Sequence, residues 1–370
     1  MFSKGSAYSS IGLDIGKSSV KMLQLVKANG KFKILSLACN VFEATDVPDK
    51  DAAKKELLIK TIKKTYQTGF FKGKKVITFL PSQEVDLRQI TVQSEDPKEI
   101  VKAIGFEADS YLPYKAKDAV LDYLEIGETL INGEKKKKVL LAAAQRNKID
   151  EFLDILKGAD LKCIAIDILP MAHLRIINQS DDMKKGTAVS VIDVGHEESR
   201  ASVFYQGTLL LSRGIRFGSN TLTKTIIKEL ETDASTAEKY KSEYGIIEGE
   251  ATPIDFQNDE KQYFKEKAPS LILEILKDDL EVLVFEIEKM FNYCSAELRG
   301  IKPKKMILTG GGAMVKNLSD YLKRKLEIDV ELWNLSHALS NGKKETNSDG
   351  IESLSPIFAT ALGLALREQR

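Results

Sequence analysis

The chain has 370 residues, 43% hydrophobic and 29% charged, and 55 Lys and Arg against 54 Asp and Glu leave a formal net charge of +1. That length asks for two or three cores, and the ordinary composition excludes a disordered or fibrous protein. The near-neutral balance denies the molecule the global positive field that holds nucleic acid or an anionic membrane, so neither is an expected partner. No run approaches the roughly 20 apolar residues of a membrane span, and residues 1–6 lack the apolar run of a secretory leader, so a cytosolic protein without membrane insertion is expected. Cys39, Cys163 and Cys294 are widely spaced and read as buried thiols rather than a disulfide framework. His173, His196 and His337 have no zinc spacing, which leaves a hard cation held by oxygens as the expected metal.

In chain order, residues 11–16 form a predicted strand closing in Asp14-Ile15-Gly16, followed by a strand over 19–25, an Asn29-Gly30 turn and a strand over 32–37. Residues 45–68 have helical composition with Leu57, Leu58 and Ile62 on one face, and 75–80 reads as a strand. Residues 81–156 look like a separate α+β unit, with strands 86–92, 119–126 and 138–144 and helices 97–111 and 148–156. Its lysine run, 135–138, reads as a solvated hairpin edge.

The opening order then recurs. Residues 189–195 form a strand closing in Asp193-Val194-Gly195, 200–205 a second strand, Gln206-Gly207 a turn and 208–212 a third strand. Asp14 maps onto Asp193 and Gly16 onto Gly195, both 179 residues on, which is the mark of a duplicated domain. Residues 81–156 have no counterpart in the second copy and so read as an insertion. Helices are expected over 220–230 and 235–244, and a loop over 249–259. Leu276, Leu280, Leu283, Ile287, Met290, Phe291 and Cys294 fall at three- and four-residue steps on a long amphipathic helix. A strand over 304–308 runs into Thr309-Gly310-Gly311-Gly312-Ala313, then come a helix over 317–326, a polar loop over 341–350 and an apolar helix reaching about 366. That last helix is apolar on nearly every side and is expected in a core rather than on a membrane surface.

Each Asp-x-Gly turn has the residue types that bind phosphate. Glycine permits the tight turn, backbone N–H groups and hydroxyls at its tip cradle oxyanions, and the strand-end Asp holds a hydrated divalent cation. One such turn is a weak signal, because it is common in hairpins. Two in the same context, one per half, are suited to gripping a polyphosphate, and the glycine turn at 310–312 lets backbone approach a flat ligand.

This order of two phosphate loops, a connecting helix and a Gly-Gly-Gly turn resembles the actin, heat-shock chaperone and sugar-kinase superfamily. Within it, residues 11–21, 166–172, 237–245 and 283–293 resemble PilM, a family of cytoplasmic actin-like proteins of type IV pilus assembly, with the division protein FtsA as the nearest alternative. The resemblance implies an α/β fold of actin-like type, with ribonuclease H-like duplicated domains and an inserted small α+β 1C-type subdomain. It implies a first half (1A) of 1–80 with 157–187 and 352–370, the 1C-type insertion at 81–156, a second half (2A) of 188–222 with 302–351, and a 2B-type subdomain at 223–301.

ATP or ADP with Mg2+ is the implied cofactor. Asp14, Gly16, Lys17, Ser18 and Ser19 match the first phosphate loop, Lys21 a lysine just after it, and Asp193, Gly195 and His196 the second loop, with Asp14 and Asp193 holding the metal through water. Gly218 and Asn220 match the turn closing over phosphates, Glu238 and Lys241 the pair touching ribose and adenine, and Gly311, Gly312 and Ala313 the adenosine turn. Asp167 matches the position where catalytic members orient water or metal; it equally reads as a cap of the following helix. Ser199 stands where the second loop usually has Thr. The implied role is a cytoplasmic scaffold, peripheral at the inner membrane, that binds the N-terminal peptide of the membrane protein PilN, relays to the assembly motor ATPase, self-associates and hydrolyses ATP slowly at most. A small-molecule kinase and an FtsA-like membrane-tethered polymer are the rival readings.

Overall fold

The computed structural model describes residues 8–28, 31–42, 51–93, 96–131, 133–178, 186–246, 260–335 and 354–367. The expected loops at 249–259 and 341–350, the first hairpin turn at 29–30, the start of the first expected helix and His337 lie outside them. Two compact units emerge: Met1–Arg175 with Thr360–Arg370, and Ile176–Ala359.

In the first unit, β1 (Ile11–Ile15), β2 (Ser19–Ala28) and β3 (Lys31–Val41) form an antiparallel meander, and β4 (Lys75–Phe79) and β8 (Lys162–Asp167) add in parallel beyond β1. Parallel neighbours need crossovers. Helix α1 (Asp51–Thr68) precedes β4, and the whole inserted unit followed by α3 (Arg146–Gly158) lies between β4 and β8. Ile11, Leu13, Val20, Met22 and Val76 are fully buried together with Ile62 of α1 and Leu156 of α3. So α3, expected from the sequence to lie inside the insertion at 81–156, packs instead on the main core through Phe152 and Leu156.

The inserted unit is an antiparallel sheet of β5 (Asp86–Val92), β7 (Glu134–Gln145) and β6 (Ala119–Ile131), in that order, covered by α2 (Pro97–Tyr111). Asp96 caps α2, its carboxylate accepting from the Lys98 N–H at 3.0 Å, and Pro97 occupies the first turn where no N–H is needed. Ile100 and Ile104 of α2 bury against Ile90, Val139 and Leu141. The lysine run is not a hairpin edge: Lys137 and Lys138 lie on the central strand, paired on one side with Val92 and Thr91 and on the other with Glu128 and Gly127. Lys137 and Lys135 reach Glu125 and Glu128 on β6 at 3.0 and 3.5 Å, which carries the hairpin further than apolar alternation predicts.

The second unit repeats the first sheet. β9 (Ala188–Val194), β10 (Ser199–Tyr205) and β11 (Thr208–Ile215) form the meander, and β12 (Pro303–Thr309) and β13 (Asp329–Leu332) add in parallel beyond β9. Helices α5 (Ser219–Leu230) and α6 (Ala234–Glu243) follow the meander, α7 (Glu260–Glu297) precedes β12, and α8 (Leu318–Leu326) joins β12 to β13. The expected stripe on α7 is buried as read: Leu276, Leu280, Leu283, Ile287, Met290 and Cys294 have no exposed surface. Each such side chain contributes roughly 2 kcal/mol by leaving water.

The final helix, α9 (Ser355–Ala365), is buried along Phe358, Ala359, Ala361, Leu362 and Leu364, in agreement with the core reading. Of the cysteines, Cys294 is buried as expected, whereas Cys39 and Cys163 are only partly covered, on β3 and β8 at the two edges of the first sheet. Among the described residues, no helix is long and apolar enough to cross a membrane.

Candidate functional site

Both strand-end turns close in the same way. In the first unit the Gly16 N–H donates to Ser19 O at 2.9 Å, and in the second the Gly195 N–H donates to Glu198 O at 3.1 Å. The first turn is also tied to the end of β3, since Ser18 O accepts from the Phe42 N–H at 2.8 Å. Lys17 is exposed at its tip, Ser18 is half-buried and Ser19 is buried. Asp14 sits opposite Lys21 across β1 and β2, with Lys21 Nζ 3.2 Å from Asp14 Oδ2 and side-chain exposures of only 12% and 10%. Cys39 is opposite Lys21 on β3; burial raises its thiol pKa more than the neighbouring ammonium lowers it, so the thiol stays protonated.

The second turn is built into the start of α5. Gly195 O and His196 O accept from the N–H groups of Ser219 and Asn220 at 2.9 and 2.8 Å. Gly218 lies so close to the loop that an added Cβ would fall 2.6 Å from the Glu197 carbonyl carbon, which excludes any larger residue there. The Ser199 hydroxyl donates inward to Phe217 O at 2.7 Å in a buried position, so it braces the loop from beneath.

Behind the loop, α5 and α6 share a polar cluster. Lys241 Nζ donates to Ser219 O, Thr223 Oγ1 and Glu238 Oε1 at 3.2, 2.6 and 2.8 Å, committing all three of its donors, and Thr223 Oγ1 donates to Glu238 Oε1 at 2.6 Å. The Lys241 side chain is 7% exposed and that of Glu238 49%, so Glu238 faces outward while Lys241 holds it in place. Burial raises the Glu238 pKa, but hydrogen bonds from Lys241 and Thr223 outweigh it and the net shift is downward. His196 titrates below the ordinary histidine value, first because of its burial and then because of the Lys241 ammonium nearby.

The glycine turn completes this end of the second unit. Thr309 pairs with Asp193 across β12 and β9. Gly310 follows at φ 85°, where a Cβ would strike the Asp193 carboxylate, and its N–H donates to Pro356 O at 2.9 Å. Gly311 is exposed, with nothing within 4 Å of an added Cβ, whereas Gly312 and Ala313 are buried against Val194. The Ile246 N–H donates to Lys316 O at 2.9 Å, which joins the segment after α6 to the segment after the glycine turn. Asp193, His196, Gly218, Asn220, Glu238, Lys241, Gly195 and Gly311 are thus assembled around one loop and its supporting helices.

Asp167 has a different setting. At the end of β8, its Oδ2 lies 2.7 Å from Arg175 Nη1 and 3.6 Å from Arg367 Nη1, and its Oδ1 accepts from the Ile168 N–H at 2.8 Å. Arg175 also donates to Gly363 O at 3.3 Å and Arg367 to Ile166 O at 3.0 Å. The carboxylate is 6% exposed and ties α4 (Leu169–Ile177) and the segment after α9 to β8 through two arginines; its one backbone bond goes to Ile168, ahead of α4, and not to an N–H inside the helix as a cap would.

Each loop, taken by itself, carries residue types suited to phosphate and a hydrated cation. Among the described residues no three His, Cys, Asp or Glu side chains cluster to hold a cation by themselves. A Mg2+ ion ordinarily keeps several waters and relies on one or two carboxylates plus phosphate oxygens. Within the second unit Asp193 supplies a carboxylate at the strand end, Gly311 has open space where a Cβ would stand, and the half-exposed Glu238 presents a carboxylate oxygen outward; in the first unit Asp14 supplies a carboxylate at its own loop, beside Lys21. Sequence reasoning passed over two members, Gly310 and Arg200. Arg200 pairs with Asp193 across β9 and β10 as Lys21 does with Asp14, and the same 179-residue offset connects Lys21 to Arg200.

A five-stranded sheet built twice, each copy ending its central strand in Asp and a closed glycine turn, is the architecture of the actin-like ATPase fold. The family model described as type IV pilus assembly protein PilM matches residues 12–369, and the chain belongs to that family. The solved structure of a PilM–PilN type IV pilus biogenesis complex superimposes with a TM-score of 0.78 at 23% identity, covering 98% of this chain and 99% of that one. MreB 5 of Spiroplasma citri bound to AMPPNP superimposes with a TM-score of 0.50 at 12% identity over 95% of this chain and 93% of that one. The cell division protein FtsA of Buchnera aphidicola subsp. Acyrthosiphon pisum is 21% identical over 61% of this chain and 54% of its own length. The chain thus spans about half the length of that FtsA relative.

Proposed function

We propose that the chain is a cytoplasmic, nucleotide-binding scaffold of type IV pilus assembly that binds the cytosolic N-terminal peptide of PilN. The observation that carries this reading is the full-length superposition on the PilM–PilN complex, joined to membership of the PilM family. ATP or ADP binds with Mg2+ at the two loops. Gly16, Lys17, Ser18 and Ser19 with Lys21 form the first phosphate contact, and Gly195, His196, Gly218 and Asn220 the second. Glu238 meets the ribose, held by Lys241, and the 311–313 turn meets the base. Asp14 and Asp193 hold the metal through water.

Bound Mg2+ supplies charge neutralisation for the phosphates. Hydrolysis needs in addition a group that places a water, and Asp167 is committed to two arginines. Slow turnover at most is therefore expected, with nucleotide acting as a structural element. The four-part division into 1A, 1C, 2A and 2B types belongs to the same reading, and the PilN peptide enters between the inserted unit and the rest of the first half. Such peptides bind through apolar pockets and main-chain hydrogen bonds. The scaffold sits at the inner membrane through its partners, relays to the assembly motor ATPase and self-associates.

Titration of a labelled PilN N-terminal peptide into the full chain, with and without MgATP, tests this. Saturable binding that a scrambled peptide does not reproduce is expected. Absence of binding in both nucleotide conditions contradicts the assignment of PilN as partner.

A further inference from the structure

The repeat aligns a second pair of residues besides the aspartates. In each half the basic residue sits directly opposite the aspartate in the antiparallel ladder, Asp14 opposite Lys21 and Asp193 opposite Arg200. Residues paired this way project from one face of the sheet. What holds the cation differs between the halves. Lys21 Nζ is 3.2 Å from Asp14 Oδ2, whereas the half-buried Arg200 guanidinium makes no ion pair and no hydrogen bond among the described residues.

Glu198 and Asp193 act on Arg200 only at longer range, and burial, the largest influence, pushes its pKa down. A guanidinium stays charged and carries five donors in a planar fork. Partial burial without bonded partners is unfavourable to the folded chain unless something arrives to accept those donors. The group whose oxygens match the fork is a phosphate. Arg200 is the second residue of β10, directly after a glycine loop of the kind that receives phosphate.

We propose that Arg200 is an anion-binding residue of the second loop, the counterpart of Lys21, and that its guanidinium contacts phosphate oxygens of the bound nucleotide. The proposal rests on the nucleotide reading above. It gives the second half a cation in reserve, held open until a ligand comes, where the first half keeps its cation on an aspartate.

The test compares wild type, Arg200→Met and Arg200→Lys by calorimetric titration with MgATP and with adenosine, alongside the Tm of each chain without ligand. Arg200→Met should weaken MgATP binding by about 10- to 100-fold, leave adenosine binding unchanged, and leave the ligand-free Tm equal or higher. Arg200→Lys should recover part of the loss. Equal MgATP affinity in wild type and Arg200→Met overturns the proposal. So does a fall in ligand-free Tm with matching losses for adenosine and MgATP, the signature of a purely structural arginine. If wild type binds no nucleotide, the nucleotide reading fails by itself, and inorganic triphosphate then decides on Arg200: a response in wild type that Arg200→Met lacks supports it, and equal responses overturn it.

Discussion

In the first half Asp14 has an ammonium 3.2 Å away and is almost enclosed with it, whereas in the second half Asp193 is only partly buried, stands opposite Arg200 in the ladder and lies beneath the glycine turn at Gly310. The strand order, the register of the first ladder and the closure of the turn are the same in both. One backbone plan therefore carries two electrostatic states. In the first loop the aspartate is neutralised by a lysine of the next strand. The second is built into α5, beside α6 and the glycine turn.

The comparison is broken most severely by removing the aspartates. Asp14→Ala takes away a partner of the nearly buried Lys21 and should destabilise the ligand-free chain by about 3 kcal/mol in denaturant unfolding. Asp193→Ala trims a carboxylate that is only partly buried and should cost less, about 1 kcal/mol; equal losses for the two would contradict the contrast between the halves. The glycines sharpen it next. Gly310→Ala forces a side chain into a φ of 85° and against Asp193, and should cost about 2 kcal/mol, while Gly311→Ala, facing open space, should lie within about 0.5 kcal/mol of wild type.

Lys241→Met comes third. It strips the anchor from Ser219 O, Thr223 and Glu238 and should cost about 1–2 kcal/mol, with Glu238→Gln milder because half its side chain is exposed. The smallest effect is that of His196. Its pKa is lowered on folding from 6.5, so the folded chain binds fewer protons there than the unfolded chain, and stability falls as pH drops below about 6.5. His196→Gln should flatten that part of the profile, and an unchanged pH profile would contradict the lowered value.

Much of this was legible in the residues. The strand ends at Asp14 and Asp193 and the amphipathic stripe of α7 follow from apolar periodicity and from a weak repeat made legible by its constant 179-residue offset. Strand β5 and helix α2 appear at the expected residues because a proline, a capping aspartate and flanking turns mark them locally. Strand β8 and the four-residue β13 were missed, since their place is set by parallel pairing with distant β4 and β12 and not by any local signal. The extension of β6 and β7 depends on cross-strand Lys–Glu pairs that composition alone reads as solvated charge.

At the site, helical spacing put Glu238 and Lys241 on one face, but which of the two turns outward depends on Thr223 and Ser219 of the preceding helix. Arg200 was within reach of the 179-residue offset once Lys21 had been singled out. That its guanidinium makes no ion pair among the described residues is visible only in three dimensions.

The most direct measurement is the thermal shift of the full chain with MgATP, in wild type and in Asp193→Ala. A ligand at 100 times its Kd adds about 2.7 kcal/mol to stability, so wild type should gain roughly 3–4 °C in Tm and Asp193→Ala should gain none. A wild-type Tm that does not move with MgATP, or an Asp193→Ala shift equal to that of wild type, would contradict the account of the two loops as a nucleotide site.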